Sequence, residues 1–218
     1  MKQVKVITID GPAGAGKSTV AKRLAKELDI SYLDTGAMYR ALTLKAMRCQ
    51  LDLLDEESLV AMAQETTIDL ANGKVFLDGQ DVSEDIRTVE VTNQTFLLAK
   101  KPRIRSIMVE WQRHLGAEKD VVVEGRDAGT VIFPDAQYKF YLDANLKERS
   151  RRRLAELQEK GKAVDAGQLT EELKDRDDKD FTRQVGPLKK ACDAIVIDST
   201  HFSIDGVIEE MMNHIDTQ

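Results

Sequence analysis

Cysteine is scarce in this chain: Cys49 and Cys192 are the only two among 218 residues. They stand far apart with no metal-ligand spacing, which excludes a disulfide framework and a cysteine zinc site. Both are expected to be reduced thiols of a cytosolic protein, packed inside as small hydrophobes. Long apolar runs are missing too, and no signal-peptide pattern precedes the first strand-like stretch. Neither a membrane span nor a secretory leader is therefore expected. Excess basic charge is also lacking. Lys and Arg number 32 against 38 Asp and Glu, a formal net charge of -6. Bulk nucleic-acid binding needs a basic face that displaces counterions, so the charge argues against that class while leaving room for a local basic groove. A cytoplasmic, monomeric protein without nucleic-acid or membrane partners is the expectation.

What is present suits a globular α/β chain. Hydrophobic residues make up 42% and charged residues 32%, enough apolar material for a sizeable core. Runs rich in Val and Ile recur at Val4–Ile9, Ile30–Leu33, Asp120–Val123, Tyr138–Leu142 and Ala194–Ile197. Their consecutive apolar positions suit parallel strands buried on both faces. Helical patterns separate them: Val20, Leu24 and Leu28 in one, and Ile104, Ile107, Met108, Trp111 and Leu115 along the core face of another. The alternation predicts a doubly wound parallel sheet of five strands.

Two segments break the rhythm. The stretch between the second and third strands is far longer than a crossover helix requires. Inside it, Asn72-Gly73 and Asp78-Gly79 bracket an apolar run and predict a hairpin over 72–82. The second is charge-dense and predicts two helices joined around Gly161–Gly167. A single domain over 1–218 is expected, with its core about 1–34, 117–145 and 186–218, an insertion about 35–116 and an arm about 146–185.

The chemistry begins at Gly11-Pro12-Ala13-Gly14-Ala15-Gly16-Lys17-Ser18, followed by Thr19. It fits G-x-x-x-x-G-K-[ST] between a strand-like and a helix-like run. Backbone N–H groups of such a loop cradle a polyphosphate, the helix N-terminus adds partial positive charge, and Lys17 adds a full one. Ser18 offers a hydroxyl for Mg²⁺. Nucleoside triphosphate binding follows. After the second strand comes Asp34-Thr35-Gly36-Ala37-Met38-Tyr39-Arg40, and after the third Glu124-Gly125-Arg126-Asp127-Ala128-Gly129-Thr130. In the arm, Arg176, Asp180 and Arg183 fall at i, i+4 and i+7, with Asp177 and Asp178 off that face. Arg149, Arg152 and Arg153 read equally as a solvated surface or as part of the basic face.

Phosphoryl transfer to an alcohol shows a carboxylate base beside the acceptor. Transfer to a phosphate needs none, because the acceptor is already mostly dianionic at neutral pH. It needs guanidinium groups that bring two polyanions together and a closing element that excludes water. That equipment points to a nucleoside monophosphate kinase. His114, His201 and His214 lie in no motif and are expected to be bystanders. A GTPase switch is disfavoured, since no Asn-Lys-x-Asp guanine reader is present; a phosphate-loop ATPase or regulatory module stays open.

Across nearly its whole length the chain resembles the bacterial cytidylate kinases. The marks are G-P-A-G-A-G-K-S-T at 11–19, L-D-T-G-A-M-Y-R at 33–40, D-G-Q-D-V-S-E-D-I-R-T at 78–88 and E-G-R-D-A-G-T-V-I-F-P-D-A at 124–136. L-Q-E-K-G at 157–161, R-D-D-K-D at 176–180 and D-S-T at 198–200 add to them. The resemblance implies a phosphate-loop monophosphate-kinase fold with a monophosphate-binding insertion and a helical lid, transferring the ATP γ-phosphoryl group to CMP or dCMP with Mg²⁺. The neighbouring alternative is a kinase for UMP or AMP. It implies that Arg40, Arg126 and Arg183, with Thr35 nearby, hold the acceptor phosphate, and that Arg176 and Asp180 touch the sugar. Arg176 would also reach the transferring group, making Lys17, Arg126, Arg176 and Arg183 the catalytic set. Arg105 and Asp127 would read cytosine. Phe96, beside Thr95, stands where relatives carry a base-contacting hydroxyl, and Glu124 stands where aspartate is common, with a role in holding metal-bound water or a structural one.

Overall fold

The computed structural model describes residues 5–71, 73–159, 161 and 164–216. Val4, Asn72, Lys160, Lys162 and Ala163, which enter the sequence-based readings, lie outside them. In chain order the elements are β1 (Val6–Asp10), α1 (Lys17–Glu27), β2 (Ser31–Asp34), α2 (Thr35–Arg48), α3 (Glu56–Gln64), β3 (Ile68–Ala71), β4 (Lys74–Leu77) and β5 (Gln80–Asp81). They continue with α4 (Val89–Ala99), α5 (Pro102–Ala117), β6 (Val121–Gly125), β7 (Tyr138–Asp143), α6 (Leu146–Glu159), α7 (Ala166–Thr182), β8 (Ile195–Asp198) and α8 (Ile204–Asp216). No described helix is long and apolar enough to cross a membrane.

All five expected strands form, and they build one five-stranded sheet in the order β2-β6-β1-β7-β8. The pairs β1–β6, β1–β7 and β7–β8 are parallel. Helices flank the sheet, so the α/β doubly wound architecture is as expected. Ile7, Ile9, Val121, Val122, Val123, Phe140 and Leu142 are buried, the continuous apolar burial that a sheet covered on both faces demands.

The chain divides into two compact units, 1–31 with 119–218, and 32–118. In the first, α6 and α7 are the two helices expected of the arm. Gly161 adopts φ 71° in their connection, while Gly167 lies within α7, whose N-cap is Asp165. In the second, the expected hairpin is part of a three-stranded antiparallel sheet, β3-β4-β5. Its β4–β5 turn places Asp78 at φ 48° and Gly79 at φ 79°, the left-handed pair that a two-residue turn between twisted strands requires. Asp78 accepts from the Thr67 N–H and pairs with Lys45 of α2, anchoring the turn.

Three expectations are corrected. Cys49 and Cys192 are exposed, not packed inside: Cys49 caps the solvent end of α2, and Cys192 lies in the loop before β8. The buried stripe of α5 is Ile104, Arg105, Met108, Gln112 and Gly116. Trp111 is only half-buried, because the stripe is turned toward Arg105 and Gln112. Asp177, off the face of Arg176, Asp180 and Arg183, is buried and bonded and not solvated with the rest of its charged run.

Candidate active site

The apolar strand β1 runs straight into the glycine-rich loop, and α1 begins at Lys17. The N-cap of α1 is Gly16, at φ 94°, and no side chain caps the helix. By contrast, Asp34, Asp55, Thr88 and Asp165 cap α2, α3, α4 and α7 through their side chains. An N-terminus without a protein cap keeps donor groups and dipole for an anion. Lys17 is buried, and its ammonium donates to the Pro12 carbonyl at 2.7 Å. Burial, with Arg126 adding to it, pulls its pKa down to about 7. Ser18 and Thr19 are exposed at the start of the helix.

Beyond β6, Asp127 opens a single π-helical turn over Ala128–Ile132. The Asp127 side chain does not cap it. Asp10, at the end of β1, does so instead: its two oxygens accept from the Ala128 and Gly129 N–H groups, each at 2.8 Å. The Asp127 carboxylate pairs with Arg183 instead. Gly129 fits because a Cβ there would meet Thr8 Oγ1 at 2.8 Å.

Four of the candidate residues are joined in one ion network within the first unit. Arg126 Nε donates to Asp180 at 2.8 Å, Arg183 Nη1 reaches the other Asp180 oxygen at 3.4 Å, and Arg183 Nη2 reaches Asp127 at 3.4 Å. Burial acts to raise the Asp180 carboxyl, yet Arg126, Arg183 and Arg176 outweigh it and hold the pKa below the ordinary value. Burial acts to lower Arg126, and Asp180 with Glu124 more than restores it. Arg183 arrives by a route that helical spacing did not foresee. Helix α7 ends at Thr182, and Arg183 is its extended C-cap, its Nε donating to the Gly186 carbonyl. Arg176 is exposed on α7, in the electrostatic field of Lys17 and Asp180. Glu124 is buried at the end of β6.

The second unit holds Thr35, Arg40 and Arg105. Thr35 is the buried first residue of α2. Asp34 caps that helix by accepting from the Ala37 N–H at 2.7 Å, and its second oxygen holds the Arg40 guanidinium at 3.3 Å. Arg105 is buried, donates to the Ala99 carbonyl at 3.1 Å and lies over the Tyr39 ring, 5.5 Å from its centroid. Tyr39 escaped the sequence reading, since no spacing signals a stacked arginine. Thr95 Oγ1 donates back to the Val91 carbonyl at 2.7 Å, so that hydroxyl is engaged by its own helix. The Lys100 ammonium sits over the Phe96 ring.

Asp10 escaped too, although an acid ending an apolar strand beside a phosphate loop is itself a signal: it would repel the ligand unless tied down. Burial raises its pKa from 3.8 to about 6 against the opposing pull of the two N–H donors. The folded protein thus holds this proton more tightly than the unfolded chain, and stability falls as pH rises through that window. The wild-type advantage over Asp10→Asn, which cannot ionise, is expected to shrink by about 3 kcal/mol between roughly pH 4 and pH 7. Urea unfolding of both proteins across that range reads it directly, and a pH-independent difference refutes it.

The sequence model described as "Cytidylate kinase" matches residues 7–217. The chain belongs to the cytidylate kinase family. A cytidylate kinase of Caldanaerobacter subterraneus subsp. tengcongensis is 49% identical over 209 residues, covering 96% of this chain and 93% of that one. One from Bacillus pumilus is 48% identical over 220 residues, covering 99% and 98%. Among solved structures, an uncharacterized protein from Eubacterium ventriosum superposes with a TM-score of 0.54 at 14% identity, covering 98% of this chain and 99% of that one. Shikimate kinase from Bacteroides thetaiotaomicron gives 0.50 at 12%, covering 97% and 98%. These last two speak to the fold alone.

Proposed function

We propose that the protein transfers the γ-phosphoryl group of ATP to CMP or dCMP, giving ADP and the corresponding diphosphate. The observation that carries this reading is the Arg126–Asp180–Arg183–Asp127 network in the same unit as the uncapped phosphate loop. In it, guanidiniums outside the loop are paired to carboxylates that a nucleotide can replace. The loop residues Gly11–Thr19 cradle the triphosphate, with Lys17 on its outer phosphates. Arg126, Arg176 and Arg183 neutralise charge on the moving group, and Arg40 and Thr35 join Arg126 and Arg183 on the acceptor phosphate. Arg176 and Asp180 meet the sugar. No general base is required, because the acceptor oxygen carries its own charge.

Asp127 and Arg105 are the base readers. A carboxylate accepts from the 4-amino group of cytosine, and an arginine donates toward its ring acceptors. Uracil turns an acceptor toward Asp127 and is rejected. Residues 35–116 serve as the monophosphate-binding insertion, and 146–185 as the lid that excludes water. The protein acts as a monomer in the cytoplasm.

The donor set fits Mg²⁺. Ser18 presents a hydroxyl at the loop and Glu124 a carboxylate at the end of β6, both hard oxygen ligands. Among the described residues no group of three or more His, Cys, Asp or Glu could hold a metal unaided, which suits an ion whose shell is completed by phosphate oxygens and water. When bound, it offsets charge on the triphosphate.

The test is turnover with ATP and Mg²⁺ against CMP, dCMP, UMP and AMP. CMP and dCMP are expected to lead. Asp127→Asn is expected to cut the CMP-over-UMP preference by about 10- to 100-fold, the discrimination of one good base-edge contact. Steady ATP hydrolysis unchanged by any monophosphate would instead identify an ATPase switch.

A further inference from the structure

Helices α6 and α7 each direct one charged side chain inward, apart from the network above. Arg149 and Asp177 are 8% and 6% exposed and pair with each other. Two further bonds, one from each partner, converge on one residue of the phosphate loop. Asp177 Oδ1 accepts from the Ala13 N–H at 3.0 Å, and Arg149 Nη1 donates to the Ala13 carbonyl at 2.9 Å. Arg149 Nε also donates to the Ala144 carbonyl at 2.9 Å, fixing the guanidinium to the chain leaving β7. Behind the loop, a Cβ on Gly14 would lie 3.3 Å from Arg149 Cβ and 3.4 Å from its carbonyl oxygen. The donor and the acceptor of Ala13 are thus both taken by the arm's ion pair.

Holding α6 to α7 does not require charge. A buried ion pair is costly to desolvate, and packed hydrophobes of similar volume usually stabilise as well or better. What charge adds is direction: charge-assisted bonds at fixed angles to a main-chain N–H and C=O. Asp177 also sits next to Arg176 and three residues before Asp180, so the turn of α7 that grips the loop carries both.

We propose that Arg149 and Asp177 form a clip that sets the register of the arm against the phosphate loop, with Asp177 a positioning residue for phosphoryl transfer. By holding Ala13, the clip fixes how far Arg176 and Asp180 stand from a triphosphate on Gly14–Thr19. Asp177 acts through the loop and through its helix neighbours. The inference rests on the assignment of ATP to this loop, and binding of Mg-ATP by the wild-type enzyme tests that assignment separately.

Asp177→Ala, Asp177→Asn, Arg149→Ala and the double alanine variant are compared by kcat, KM for ATP, KM for CMP and unfolding midpoint. Asp177→Ala is expected to lower kcat/KM for ATP by about 10- to 100-fold, the scale of a misplaced catalytic group. Its KM for CMP, whose sugar Arg176 and Asp180 meet, is expected to rise less than its KM for ATP, since the clip bonds the donor loop directly. Asp177→Asn keeps an acceptor for the Ala13 N–H and recovers a large part of the loss. The double variant is no worse than the poorer single one, because the pair acts as one unit. Additive losses overturn the clip, as does wild-type kcat/KM for ATP in Asp177→Ala. Equal losses toward ATP and CMP that track a lowered midpoint make the pair merely structural and also overturn it. Should the alanine variants fail to fold, Asp177→Asn and Arg149→Lys carry the same comparison. A wild-type enzyme that does not bind Mg-ATP removes the functional assignment itself.

Discussion

Replacing Arg126 by alanine is expected to lower turnover with ATP and CMP by about 10³-fold, the scale of an arginine that meets developing phosphoryl charge. The side chain follows β6 by one residue, and its Nε and Nη1 are held by Asp180 and by the Gly125 carbonyl. In the resting protein two anchored nitrogens hold the guanidinium at the end of β6, so little conformational freedom is lost when a phosphate takes the place of Asp180. Arg126→Lys is expected to recover little, since an ammonium cannot copy the fork. The fold should survive, because Arg183 and Arg176 still compensate Asp180. Coupled-assay turnover, with an unfolding curve to show the native state, decides the matter. Turnover within about threefold of wild type removes Arg126 from the reaction.

Gly11→Ala is expected to be the most damaging single methyl in the protein, lowering stability by more than about 4 kcal/mol or abolishing soluble expression. A Cβ there would sit 2.0 Å from the Leu142 carbonyl oxygen, on the neighbouring strand β7, and φ is +151°. Neither backbone can yield without parting β1 from β7. Gly79→Ala separates the two causes: it also has a positive φ, +79°, but open space around it. That variant is expected to cost only about 1–2 kcal/mol, the strain of a left-handed residue. Chemical denaturation of the pair tests this, and similar losses for both would show that the contact with Leu142 is unimportant.

The sheet was legible because its strands are rich in consecutive apolar residues, the pattern that burial on both faces favours. Even so, Thr8 and Lys139 interrupt β1 and β7, and Val196 of the edge strand β8 is exposed. β3 was not, since Ile68-Asp69-Leu70-Ala71 is short and alternating and shows itself only when paired with β4. The phosphate loop was readable because its donors are contiguous. What periodicity could not supply was the fate of single charges. Asp10 is tied to N–H groups 118 and 119 residues away, and Asp177 to one 164 residues away. Before those contacts exist, an acid destined for the interior looks like any solvated one. Arg183 shows the complementary limit: i+7 spacing named the residue, yet the helix stops short of it.

The paired carboxylates give the resting enzyme internal counterions. Arg126 and Arg183 are already neutralised by Asp180 and Asp127, so an incoming anion must exchange with a side chain and not simply fill a positive hole. Chloride or another small monovalent ion gains little from such an exchange. A nucleotide that brings a dianionic phosphate together with hydroxyl and amino donors can satisfy the displaced acids as well, so the network favours ligands that present both.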